Sequence, residues 1–369
     1  MFFTHRSIYL LCSIFLIFIF TPLAKCEELP SRALFVSVIQ DPPIFTSRQE
    51  MINLVLFAKE ARIKILFVQI YHAGKAWFPS KVVDDSFYEQ YRKIIQEDPL
   101  AFLIQQAHAQ GIQVHAWLNL MSLDQNIKAS FLTKYGTHIL TRNLKPKATL
   151  EDYKIDSQYY LEPGDPRVRD DLAKMVREVL VAYPNLDGIQ FDYIRYPDAF
   201  PHYGYTKVNM ERFKAKYGLK VIDEESAQWK DWKRSQVTET LTKLVKIVRF
   251  MRPKMQVSTT GCMPYARAYF EAYQDWPTWI SSGLLDFVTI MDYSIDIKQF
   301  ERWIVALKEK VNDFKKVKIA VGAYKTVHIP EIFETEYSSC EKMKASCAVF
   351  HYGSLIDSPQ MSKYLTHSR

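Results

Sequence analysis

The sequence predicts one (β/α)8 TIM barrel with long loops after its third and fourth strands. Two observations carry that prediction. Strand-like apolar runs alternate with amphipathic helical runs from one end of the 369-residue chain to the other. Eight such strands, joined by right-handed helical crossovers, close into a barrel. A core of this size is well supplied, because 48% of the residues are hydrophobic and 14% aromatic.

Taken in order, the first strand is read at Leu34–Ile39, and Arg48–Ala61 follows as a helix. Ile65–Tyr71 is the second strand. The helix Pro99–Gln110 opens on a first-turn proline and stops at Gly111, with Leu100, Leu103, Ile104 and Ala107 on one face. Gln113–Leu118 is the third strand. Asp165 reads as the N-cap of the helix Pro166–Ala182, with Glu162 shaping the approach to it. Asp187-Gly188 is a turn signal that leads into the fourth strand, Gly188–Ile194. A helix over Ser235–Met251 precedes the fifth strand, Met255–Thr260. The last three strands are Asp286–Tyr293, Val317–Tyr324 and Cys347–Tyr352.

Residues 1–26 read as a secretory signal peptide: Arg6 near the start, an apolar run over Ile8–Phe20, and a small-residue exit before Cys26. The barrel then occupies 27–369, and the expected location is secreted, periplasmic or at the cell envelope. An uncleaved N-terminal anchor is the alternative. Without Arg6 and Lys25 the formal charge falls from +7 to +5. Lysines and glutamates are interleaved rather than gathered into a basic stripe, which argues against a nucleic-acid partner. The same balance is compatible with peripheral association with an envelope. Cys262, Cys340 and Cys347 do not form a disulfide framework, although Cys340 and Cys347 can pair in an oxidising compartment. No CxxC or paired-histidine spacing suggests a metal site, so neither metal nor cofactor is expected. A monomer is expected.

Barrel enzymes place their chemistry at strand C-termini. Here those tips carry Gln69 and Tyr71 on strand two, and His115, Trp117 and Asn119 on strand three. Strand four carries Gln190, Asp192, Tyr193 and Arg195. Ser258 is on strand five, Asp292 and Tyr293 on strand six, Tyr324 on strand seven and His351 on strand eight. Polar edges and flat rings of this kind suit a hydroxyl-rich ligand. Glycoside hydrolysis usually needs two carboxyl groups across the scissile bond. Asp192 is the expected nucleophile or base and Asp292 the expected acid. The remaining tip residues are expected to bind substrate. Two readings follow: a metal-independent glycoside hydrolase, or a glycan-binding barrel without a working acid. The separation of the two carboxyls distinguishes them.

The stretches Asp98–Ile104, His115-Ala116-Trp117-Leu118-Asn119, Pro163–Arg169 and Asp187–Pro197 together resemble glycosyl hydrolase-like family 10, β/α-barrel proteins of bacterial envelopes. Asp231-Trp232-Lys233-Arg234, ahead of a long helix, is similar too. The resemblance implies a carbohydrate-active enzyme of the envelope, with cell-wall glycan strands as one substrate class. Asp192 matches the family motif. Ile290-Met291-Asp292-Tyr293 departs from the Gln–aromatic pattern of many relatives at the end of strand six. The fourth-strand motif is also similar in outline to family 18 chitinases, but Ile194 stands where their glutamate is needed. Barrel α-glycosidases with one Asp after strand four and another after strand six fit the residues better, by position alone.

Overall fold

Eight parallel strands hydrogen-bond in a closed ring. A computed structural model describes residues 31–199 and 202–367. The expected signal peptide lies outside the described residues. The strands are β1 (Arg32–Val36), β2 (Ile63–His72), β3 (Gln113–Asn119), β4 (Gly188–Asp192), β5 (Gln256–Cys262), β6 (Phe287–Asp292), β7 (Val317–Val321) and β8 (Ser346–Val349). Each pairs in parallel with the next, and β1 pairs with both β2 and β8, so no edge is left open.

Helices cover the ring and begin where side chains supply the missing acceptors. Ser47 accepts from the Glu50 N–H to start Arg48–Glu60, and Asp98 accepts from Ala101 ahead of Pro99–His108. Asp165 caps Pro166–Ala182 through the Arg167 N–H, as expected. The long helix starts at Ala227, earlier than the expected Ser235, because Ser226 caps it. Its first turns bury Trp229 and Trp232 against Tyr205 and Phe213, so Asp231–Arg234 lies inside the helix. Cys340 and Cys347 form a disulfide that ties the helix Pro330–Lys342 to β8, with their Cα atoms 6.4 Å apart.

The apolar residues fall into two main clusters with the strands between them. The larger lies between barrel and helices and includes Val288, Ile290, Val321 and Leu118. The smaller fills the barrel interior with Phe35, Phe67, Trp117, Phe287, Ala320 and Ala348. On any strand the parity of a residue therefore decides which cluster it joins.

The loop after β3 forms a two-stranded ribbon, Ser122–Asp124 with Tyr159–Tyr160, and a short helix, Ser130–Tyr135. The loop after β4 carries the helix Lys207–Tyr217. Beneath both, the buried Glu162 accepts from Tyr196 Oη at 2.5 Å, Thr141 Oγ1 at 3.0 Å and the Gly164 N–H at 3.0 Å. Glu162 thus fastens the two long loops together, a larger role than shaping a helix start.

Candidate active site at the barrel mouth

Asp192 ends β4 on the parity of Gly188 and Gln190, so its side chain turns into the barrel. Only 5% of it is exposed. Trp117 Nε1 donates to Oδ2 at 3.0 Å, the Tyr193 N–H donates to Oδ1 at 2.7 Å, and Thr260 Oγ1 bonds the same Oδ1. An indole and a backbone N–H can only donate, so both carboxyl oxygens act as acceptors. β4 stops here because Tyr193 turns to φ 56°, in the left-handed region. That turn lays the Tyr193 ring under the Arg195 guanidinium, 4.6 Å away, and brings it 6.3 Å from Tyr160. Arg195 Nη1 reaches Cys262 Sγ at 2.9 Å.

Across the mouth, Tyr293 packs on Phe350 at 5.4 Å and edge-on to Tyr324 at 5.5 Å. Burial raises the Tyr293 hydroxyl well above its usual range, and the Asp192 charge adds to this. Tyr324 is half exposed on the rim. His351 is tucked against Gly353 beside Gln40, and burial lowers its affinity for a proton.

On the β2 side, Gln69 accepts from Ser37 Oγ at 2.8 Å and from the Val38 N–H at 3.2 Å. It donates to Asn119 Oδ1 at 3.2 Å and meets His72 Nδ1 at 3.4 Å. His72 Nε2 lies 4.0 Å from Asp124 Oδ2. Burial lowers the proton affinity of His72, while Asp124 and then Asp192 oppose that shift. His72 ends a strand whose tip was visible in the sequence. Asp124 was missed, because only the ribbon fold of the loop after β3 brings it back to the mouth.

The expected pairing of Asp192 with Asp292 does not occur. Asp292 shares parity with Val288 and Ile290 and faces outward, between β6 and the helices, whereas Thr289 on the opposite face contacts Gln190 inside the barrel at 3.3 Å. Asp292 is 0% exposed and neither carboxyl oxygen has a hydrogen-bond partner. Burial pushes its carboxyl from an ordinary 3.8 up to about 8. The nearby Ser294 N–H falls short of hydrogen-bond geometry and offsets only part of this, and the negative charge of Glu336 adds to it. A carboxyl held protonated near neutral pH is what a general acid needs. Here the cause is enclosure outside the mouth.

Four residues expected to bind substrate also lie elsewhere: Tyr71, His115, Gln190 and Ser258. Tyr71 follows a register break between Gln69 and Tyr71, pairs with the outward Leu118, and is buried with an unpartnered hydroxyl. His115 points inward but lies deep, packed against Phe67 at 5.5 Å and Phe287 at 6.0 Å. Burial and Lys318 push it down to about 3, and neither ring nitrogen has a partner. Gln190 and Ser258 form a buried layer below Asp192, joined at 2.7 Å. The mouth thus gathers Gln69, Trp117, Asn119, Asp192, Tyr193, Arg195, Tyr293 and Tyr324. From the loop after β3, Tyr160 joins this set through its ring contact with Tyr193.

Among the described residues, no three His, Cys, Asp or Glu side chains converge as a metal-binding group. Two surface hollows of about 370 and 240 Å³ lie among the outer helices and contain none of the mouth residues.

Comparison with known proteins agrees with this architecture. The model of the family described as glycosyl hydrolase-like 10 matches residues 35–339. The glycosyl hydrolase DigH of Escherichia coli K12 is 27% identical over 264 residues, covering 67% of this chain and 58% of that protein. The glycosyl hydrolase YngK of Bacillus subtilis is 25% identical over 271 residues, covering 67% and 49%. The chain therefore spans about half the length of the curated relatives it matches. Among solved structures, the catalytic domain of β-amylase from Paenibacillus polymyxa superposes with a TM-score of 0.58 at 11% identity, covering 91% of this chain and 97% of that one. A β-galactosidase from Halorubrum lacusprofundi gives 0.60 at 11% identity, covering 91% and 57%. At that identity the likeness shows the fold alone.

Proposed function

The chain belongs to the glycosyl hydrolase-like 10 family, and from that premise we propose that it hydrolyses O-glycosidic bonds of a poly- or oligosaccharide at the barrel mouth. Glycan strands of the cell wall are the proposed substrate class, and the cell envelope the proposed location. One observation carries the reading. Asp192 is an enclosed carboxyl group held by three hydrogen bonds at the C-terminal end of the barrel, with rings on either side. Such a group opposes the positive charge that develops on the sugar ring, or takes a proton from the attacking water. Tyr193 and Tyr293 supply flat faces for a pyranose, and Arg195 and Asn119 supply hydrogen bonds to its hydroxyls, with Gln69 and Trp117 holding Asn119 and Asp192 in place from below.

A second reading, a glycan-binding barrel without catalysis, is favoured by one observation. The residue expected to be the acid, Asp292, faces away from Asp192. The deciding experiment incubates the protein and its Asp192→Asn variant with cell-wall glycan strands and with α- and β-linked oligosaccharides, and measures new reducing ends. Activity that disappears in the variant supports hydrolysis. Equal activity in both removes Asp192 from the mechanism. Binding without turnover on every substrate selects the second reading. Turnover is expected to persist in chelator, and a loss restored by added divalent ion would overturn that part of the proposal.

A further inference from the structure

Arg195 is a cation at the mouth that the fold leaves without a counter-ion. Its Nη1 donates to Cys262 Sγ at 2.9 Å, and its guanidinium lies 4.6 Å from the centre of the Tyr193 ring. Burial raises the Cys262 thiol above its usual range, against the pull of Arg195, so the sulfur is a neutral acceptor and the positive charge is kept. The acids nearest in sequence are engaged elsewhere. Asp198 pairs with Arg267 at 2.6 Å. Asp192 takes its hydrogen bonds from Trp117, Thr260 and the Tyr193 N–H. Among the described residues, no Asp or Glu forms an ion pair with Arg195. A charge drawn out of water is ordinarily paired, because an unanswered one costs stability. Kept unpaired beside a ligand mouth, it is a place for an anion.

The guanidinium is also fixed in position. Gln274 accepts from the Cys262 N–H at 3.0 Å and donates to the Ile194 carbonyl at 3.1 Å. That ties the end of β5 to the residue just before Arg195. Ser258 contacts Gln190 inside the barrel, whereas a Cβ on Gly261 would meet Ile290 and Trp276 outside it. Thr260 and Cys262 therefore share the inward parity of β5. Thr260 holds Asp192, and a strand advances about 3.3 Å per residue, so Cys262 and the guanidinium it carries stand about 7 Å further out along the strand. With Nη1 on the thiol and one face on Tyr193, the edge formed by Nε and Nη2 has no hydrogen bond. That edge matches the two oxygens of a carboxylate in parallel N–H···O bonds. A sugar hydroxyl uses one donor and leaves the charge unanswered.

Deepening the hydrolase reading above, on which it rests for the mouth being the glycan site, we infer that Arg195 determines specificity by holding a free carboxylate on a sugar unit next to Asp192. The substrate is then an acidic glycan rather than a neutral one. The carboxylate lies on the outer side of the guanidinium, away from Asp192, whose negative charge repels it.

The test compares cell-wall glycan strands and uronic acid oligosaccharides with the same molecules after methyl esterification of their carboxyl groups. Equilibrium binding is measured separately from the release of reducing ends. The unmodified protein is expected to bind the acid about 10-fold or more tighter than the ester, and added salt is expected to shrink that preference. Arg195→Gln is expected to lose about 10- to 100-fold in affinity for the acid and less than about threefold for the ester. Arg195→Lys keeps the charge but loses the fork, and is expected to fall between. Equal binding of acid and ester by the unmodified protein, or binding of neither, overturns the inference whether or not the variants fold. Equal losses on acid and ester in Arg195→Gln show a merely structural role and overturn it too. Acid-selective binding that depends on Arg195 without any turnover defeats the hydrolase reading and leaves the inference standing. Turnover with no preference for the acid does the reverse.

Discussion

Replacing Asp292 with Asn tests the outward placement of that carboxyl through the pH dependence of folding. In the unfolded chain an aspartate titrates near 3.8, whereas enclosure holds Asp292 at about 8 in the native state. Between those values the native state keeps a proton that the unfolded state has released, so stability falls as pH rises. The contribution is fully present below the unfolded value and is lost as pH climbs through the folded one. Each unit is worth about 1.4 kcal/mol, so at pH 7 the cost reaches at most about 4 kcal/mol. Glu336, also pushed up to about 8 by burial, titrates beside it and sets a second slope over the same window. Urea unfolding midpoints from pH 4 to pH 8.5 provide the assay. Asp292→Asn is expected to match the parent's pH trend no longer: the difference between the two proteins grows in the variant's favour by roughly 2–4 kcal/mol across the window. Because the side chain lies outside the mouth, glycan turnover is expected to be unaffected. A difference that stays constant with pH would refute the reasoning, and loss of turnover with an unchanged slope would return Asp292 to the mechanism.

Other expectations follow from neighbouring features. A Cβ on Gly188 would lie 2.4 Å from the His115 ring, so Gly188→Ala is expected to destabilise the barrel by about 1–3 kcal/mol in chemical denaturation. Ser258→Ala removes the 2.7 Å partner of Gln190 from a fully buried layer, and is expected to cost about 1–3 kcal/mol by the same assay with turnover retained. The Cys340–Cys347 disulfide closes a short loop, with a separation of 7 in the sequence. Chain-entropy reasoning gives it about 2.5 kcal/mol, so a Cys340→Ala, Cys347→Ala double variant is expected to unfold at correspondingly lower urea.

The barrel was legible because its signal is local and repeated eight times. Caps such as Asp98 and Asp165 were legible for the same reason: a side chain reaching two or three residues ahead leaves its mark in the sequence. Asp192 could be placed because β4 reads Gly-Ile-Gln-Phe-Asp, small or polar on one parity and apolar on the other. β6 is buried on both faces, so Phe287–Asp292 shows little alternation and its terminal acid was assigned to the mouth. The parity that Asp292 shares with Val288 and Ile290 was the available signal. Tyr71 was misplaced by a register break that no local pattern announces. Asp124 depended on contacts between Ser122–Asp124 and Tyr159–Tyr160, more than thirty residues apart, which alternation cannot reveal.

The strands of this protein act as a partition one peptide thick. On its outer side, densely packed aliphatic residues join barrel to helices. On its inner side stand a few large rings and a ladder of hydroxyls and amides beneath Asp192. Exchanging a ring at the opening therefore disturbs few of the contacts that keep the helices in place. The opening can be recut for a different ligand while the scaffold behind it stays the same.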